Sequence, residues 1–144
     1  MAGDLTAIIA EIGKRLEALG FKPVKTVFDF DAVPDSIIDK AYRVETRLAG
    51  NDYNMGNQAT TTETVEIFIA YKLGRDSAAA WAKALDDRET VERDIINDGT
   101  IAGLPSDPIL ALNQEAAAQK YLENYLVSKI VFRCDYIRDL ASTA

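Results

Sequence analysis

Histidine is missing from this 144-residue chain, and Cys134 is its single cysteine. Those two gaps exclude Ser-His-Asp and Cys-His nucleophile pairs, His-ligated zinc and an intramolecular disulfide. Proline is scarce: the four residues fall at Pro23, Pro34, Pro105 and Pro108, all in stretches that read as connections. Basic residues are outnumbered, 16 Lys+Arg against 23 Asp+Glu, a formal charge of −7. Such a chain, with no basic run, is a poor free-standing nucleic-acid binder. No apolar run approaches the ~20 residues of a membrane span; the best, Ile67-Phe68-Ile69-Ala70-Tyr71, is strand-sized. Asp4 and Glu11 interrupt the N-terminal apolar pattern where a secretory peptide needs an uncharged run. The expectation is synthesis in a reducing cytosol, which a lone thiol fits.

What is present suits an ordinary globular domain. Hydrophobic residues make up 48% and charged residues 27%, and a chain of this size buries about two thirds of its unfolded surface without disulfide or metal. The whole chain, 1–144, reads as one domain with no repeat and no low-complexity tract.

Leu5, Ile8, Ile9, Ile12, Leu16 and Leu19 recur at helical spacing behind Asp4, a capping residue. Gly13 interrupts that helix, Gly20 suits a left-handed C-terminal cap, and Pro23 prevents continuation. Residues 21–40 read as an irregular connection in which Pro34–Asp39 can start a helical turn. Alternation of Tyr42, Val44, Thr46 and Leu48 with Arg43, Glu45 and Arg47 predicts a strand over Ala41–Ala49. A second strand is predicted over Glu63–Leu73, and the polar, glycine-punctuated stretch 50–62 between them reads as a long hairpin loop. A second helix is expected from the cap Asp76 to about Asn97. Its apolar face holds Ala78, Trp81, Leu85, Val91, Ile95 and Ile96, and Asp86-Asp87-Arg88-Glu89 forms a solvated face. Ile109–Leu112 suits a short edge strand, Gln114–Glu123 a short helix, and Leu126–Ile137 a strong terminal strand with Ile130, Phe132, Cys134 and Tyr136 on one face. The expected fold is α+β: an antiparallel sheet of three to four strands with two amphipathic helices on one face, in helix-strand-strand-helix-strand order. Phe68 and Val131 point away from the main apolar sets, so the second face is partly apolar and suited to packing against copies of the chain.

No catalytic constellation emerges. Asp29-Phe30-Asp31 with Asp35 and Asp39 lacks the regular spacing and turn glycine of a calcium loop, and reads as a solvated acidic loop. Asp86, Asp87 and Glu89 lie on a polar helix face, not in a burial that would raise a carboxyl pKa. Cys134 alternates with Phe132 and Tyr136 and reads as core. Gly99–Gly103 lacks the lysine and helix of a phosphate loop. Asn51-Asp52-Tyr53-Asn54 is either a polar hairpin end or a partner-binding loop, Tyr53 and Met55 favouring a contact surface. No catalytic residue, metal ligand or cofactor is expected, and the chain does not read as an enzyme.

Several stretches together resemble the tail terminator and tail-completion (neck) proteins of long-tailed bacteriophages. They are Ala18-Leu19-Gly20-Phe21 closing the first helix, Pro34–Glu45 leading into the first strand, and Val65–Tyr71 with the long helix after it. The terminal strand ending Phe132-Arg133-Cys134-Asp135-Tyr136-Ile137-Arg138 completes the set. The resemblance implies a virion protein of the tail or neck, made in the host cytoplasm: a homohexameric ring that caps the tail tube, ends tail polymerisation and joins tail to head. The implied partners are further copies of the chain, the tail tube protein and the head-tail connector or stopper protein. DNA would cross the ring without specific binding, and an acidic lumen would repel its phosphates. No membrane is involved. The expected partner-facing residues are Asn51, Asp52, Tyr53, Asn54, Met55 and Asn57 of the hairpin loop, with Phe28 and Phe30 of the 21–40 connection. Another neck protein, such as a connector or adaptor, and a monomeric module that binds a protein through its sheet edge remain the alternatives.

Overall fold

The N-terminal apolar stripe becomes helix α1, Asp4–Ala18, in a computed structural model that describes residues 4–23, 40–53, 58–73, 77–95, 109–121 and 125–139. Ile8, Ile12 and Leu16 are fully enclosed, as helical spacing requires. The helix ends in a Schellman turn. Phe21 N–H donates to the Leu16 carbonyl at 3.1 Å and Gly20 N–H to the Glu17 carbonyl at 3.0 Å, with Gly20 at φ 96°, where a Cβ is penalised. Leu16 and Phe21 then share the core. Gly13 has a different reason. The Tyr42 hydroxyl donates to its carbonyl at 3.3 Å, and a Cβ at residue 13 would lie 3.2 Å from that hydroxyl oxygen.

Five strands form one sheet in the order β1-β2-β3-β5-β4. Strand β1 is Lys22–Pro23 and β2 is Ala41–Tyr53; β3 is Gln58–Lys72, β4 Ile109–Tyr121 and β5 Tyr125–Asp139. Helix α2, Ser77–Ile95, lies in sequence between β3 and β4. The sheet is mixed, since β1 pairs parallel to β2 while the remaining pairs are antiparallel. The expected purely antiparallel sheet of three to four strands, in helix-strand-strand-helix-strand order, is therefore corrected. Two residues are too few to show an alternating pattern, and β1 exists because Lys40 adopts φ 63°. In that conformation its N–H donates to Ala70 and its carbonyl accepts from Lys22.

The second correction concerns β4. Residues expected as a short strand followed by a short helix form one strand of 13 residues. Ala116, Ala117 and Ala118 favour helix locally, but β5 presents a long free edge, and pairing with it outweighs a propensity of a few tenths of a kcal/mol per residue. Bulges at Leu110 and Glu115 let the irregular alternation follow β5.

Both helices contribute to one core on one sheet face. Ala84, Val91 and Ile95 of α2 join the α1 residues over Tyr42, Val65, Ile67, Ile69, Tyr71, Leu126, Ile130, Phe132, Cys134 and Tyr136. Ala78, expected on the apolar face of α2, is exposed, while Ala84 is enclosed. Asp87 is not a solvated residue either: it accepts from the Tyr71 hydroxyl at 2.9 Å and lies 4.0 Å from Lys40. Arg15 of α1 donates to the Asp94 carbonyl at 2.7 Å, tying the helices where α2 ends. Trp81 stacks on Tyr121 at 5.2 Å, and Gln114 donates to Glu92 at 2.7 Å, so α2 also holds β4. The proposed cap Asp76, the residues 96–97 and the helical turn at Pro34–Asp39 lie outside the described residues.

Candidate partner interface

The hairpin of β2 and β3 was expected to open into a loop over 50–62, and instead its strands continue. Gly50 pairs with Thr62, Asn51 with Thr61, Asp52 with Thr60 and Tyr53 with Ala59, after a bulge at Ala49. The reason lies on the other side of β3. Every residue of β3 pairs with β5 without a bulge, from Gln58↔Asp139 to Lys72↔Tyr125, and the Thr62 hydroxyl donates to Asp135 at 2.6 Å. Three successive β-branched threonines held on that template present a ready edge to β2.

Of the expected interface residues, Asn51, Asp52 and Tyr53 therefore end a strand. Asn54, Met55, Asn57, Phe28 and Phe30 lie outside the described residues, as does the acidic stretch around Asp29 and Asp31.

The sheet face opposite the helices carries a charged ladder that the sequence pattern only hinted at. Glu66 is 3.6 Å from Arg47 and 3.5 Å from Lys129. Arg43 lies 3.8 Å from Glu45, and Arg133 3.4 Å from Asp135. Phe68, an apolar residue on this face, sits between two cations, with Arg43 4.6 Å and Lys129 5.7 Å from its ring centre. Towards Ala41, Ala70 and Tyr125 the same face becomes apolar, with Phe68 and Val127 packed there. Glu45 stands directly opposite Glu66 across the β2–β3 pair, a like-charge juxtaposition that the neighbouring arginines and lysine offset.

Among the described residues, both long outer strands have a side that is largely without a strand neighbour. Beyond its contact with β1 at Ala41 and Tyr42, β2 has no second neighbour among the described residues, and β4 has only β5. Glu45–Ala49 are all exposed, and Leu48 and Tyr121 are the large apolar side chains most exposed among the described residues. The missed signal was the pattern of β4, whose stretch 114–123 read as a short helix after a short edge strand at 109–112, whereas the strand runs through Tyr121.

Chemistry is poorly served. Burial, then the charges of Asp135 and Glu63, push the Cys134 thiol up to about 12, so it is protonated at neutral pH and inert. The Tyr42 hydroxyl is pushed up to about 12 by burial and by the charge and hydrogen bond of Glu17. Among the described residues no three Asp, Glu or Cys side chains gather to hold a metal ion. No described helix is long and apolar enough to cross a membrane.

Neither a protein-family model nor a curated protein matches the chain.

Proposed function

We propose that this chain is a structural virion protein of a long-tailed phage, forming a ring that caps the tail tube and joins it to the head connector. The observation that carries the reading is the relation between the two outer strands. The pairs β2–β3, β3–β5 and β5–β4 are all antiparallel, so β2 and β4 run in opposite directions. A second copy related by rotation about an axis along the strands brings its β2 beside β4 of the first, antiparallel to it. The sheet then continues from copy to copy, a heterologous contact of the kind that closes into rings. Leu48 and Tyr121, the exposed apolar residues of the two edges, become covered by it.

The resemblance to tail terminators supplies the partner and the number of copies, six. Function then resides in occupancy: the ring covers the surface to which the next tube subunit would add. In this reading the Asn51–Tyr53 strand end faces the tube or connector. Purified tail tubes incubated with the chain and imaged in negative stain test it. Rings at tube ends are expected; tubes left bare at saturating protein overturn the proposal.

A further inference from the structure

The sheet of this chain separates charge. Paired residues point to the same side of a sheet, so register gathers Arg43, Arg47, Lys72, Lys120, Lys129 and Arg133 on the face away from the helices. The carboxylates described there are Glu45, Glu66 and Asp135, each within 3.8 Å of an arginine or lysine of the same face. Asp52 and Asp139 occupy register positions at its far end, and cations still outnumber carboxylates. The acidic excess of the chain, 23 Asp+Glu against 16 Lys+Arg, therefore belongs to the rest of the molecule. Part of it lies across the sheet in the helices, with five carboxylates to three cations in α2 and three to two in α1.

The cationic face meets solvent. The Arg47 side chain is 73% exposed, Arg133 51% and Lys129 43%, and Lys72, Lys120, Ala116 and Ala118 are exposed as well. Phe68 and Val131 lie half-buried among them. Glu45 and Glu66 interrupt the cations, which suits a protein surface better than a continuous row of phosphates. Packing this face on its own copy would set one cation excess against another.

We propose that this face docks on the outer side of α2 in a second copy, sheet against helix. Ala78, Ala82, Asp86 and Glu89 recur there at helical spacing and are all exposed. Of the exposed cations on the helix, Lys83 is turned over the Tyr71 ring, 5.9 Å from its centre, and Arg93 lies one turn beyond Glu89. The small alanines bring the helix onto Phe68, Val131, Ala116 and Ala118, and its carboxylates reach the cations around them. Each sheet then has helices on both faces. The two halves of the contact lie on opposite sides of one sheet, so it is heterologous and runs head to tail. It does not rest on the ring reading and uses neither strand edge.

Sedimentation velocity of the full chain over a concentration series, at about 20 mM and about 500 mM salt, tests this. At low salt the mass is expected to rise with concentration past two copies, and at high salt association should weaken at least about tenfold. Two double variants each remove one half of the contact. In the face variant, Lys129→Gln leaves Arg47 beside Glu66, and Arg133→Gln leaves the Thr62 hydroxyl on Asp135. The helix variant is Asp86→Asn with Glu89→Gln. Circular dichroism melts check that both remain folded. Each alone is expected to associate about tenfold more weakly than wild type. Mixed in equal amounts, they regain one contact of wild-type strength, the helices of the face variant on the face of the helix variant, and the mass levels off at two copies. A wild-type chain that stays monomeric or levels off at two copies, association indifferent to salt, or a mixture no tighter than its components would each overturn the proposal. Tube-end binding reads the ring separately, so failure of one proposal is distinguishable from failure of the other.

Discussion

At Gly13, a residue that weakens helices is retained because a hydroxyl needs the space. The Tyr42 oxygen lies 3.2 Å from where a Cβ would stand, and it is held by the Gly13 carbonyl and by Glu17. Gly13→Ala therefore forfeits the roughly 1 kcal/mol that alanine gains in a helix. In a Tyr42→Phe background the hydroxyl is gone and the gain of about 1 kcal/mol should appear. A double-mutant cycle by urea unfolding checks it. The same tyrosine and Cys134 set an alkaline limit. Their ordinary values are 10.0 and 9.0, and both are pushed up to about 12, so the folded chain holds more protons than the unfolded one. Their contribution to stability is complete below pH 9 and is lost as pH rises through 12. The urea midpoint should fall over that window, and Tyr42→Phe with Cys134→Ala should flatten the fall.

Elements with a strong period were legible in the sequence, because a buried face repeats. The α1 stripe, the alternation of Val65, Ile67, Ile69 and Tyr71, and that of Ile130 to Tyr136 each placed their residues in the core where the structure has them. Elements made by pairing were not. β4 has neither period, because two bulges shift its faces and its centre is alanine. Likewise Asn51 and Asp52 read as loop, because nothing local says that Thr60–Thr62 are templated by β5. Asp87 was assigned to water from its charged neighbours, although it stands one helical turn after Lys83 on the side that meets Tyr71. The strand identity of β4 is open to a direct test. Ala118 is exposed and opposite Lys129, so Ala118→Thr should stabilise by about 0.5 kcal/mol in a strand, whereas in a helix it would destabilise by a similar amount. The sign of the change in urea midpoint decides.

For the whole molecule, both helices gather on one sheet face, and among the described residues the two outer strand edges and the charged opposite face lie away from them. The candidate site was only partly legible for that reason. Asn51–Tyr53 could be named from composition, but the edges of β2 and β4 exist only once five strands are ordered. Closure of copies through those edges, at the end of a tail tube, is the central claim. It is tested most directly by adding excess tube subunits to tail tubes preincubated with this chain and measuring tube length in negative stain. Rings of six copies at the growing ends and lengths that stop increasing are expected. Tubes that elongate as they do without the chain would contradict it.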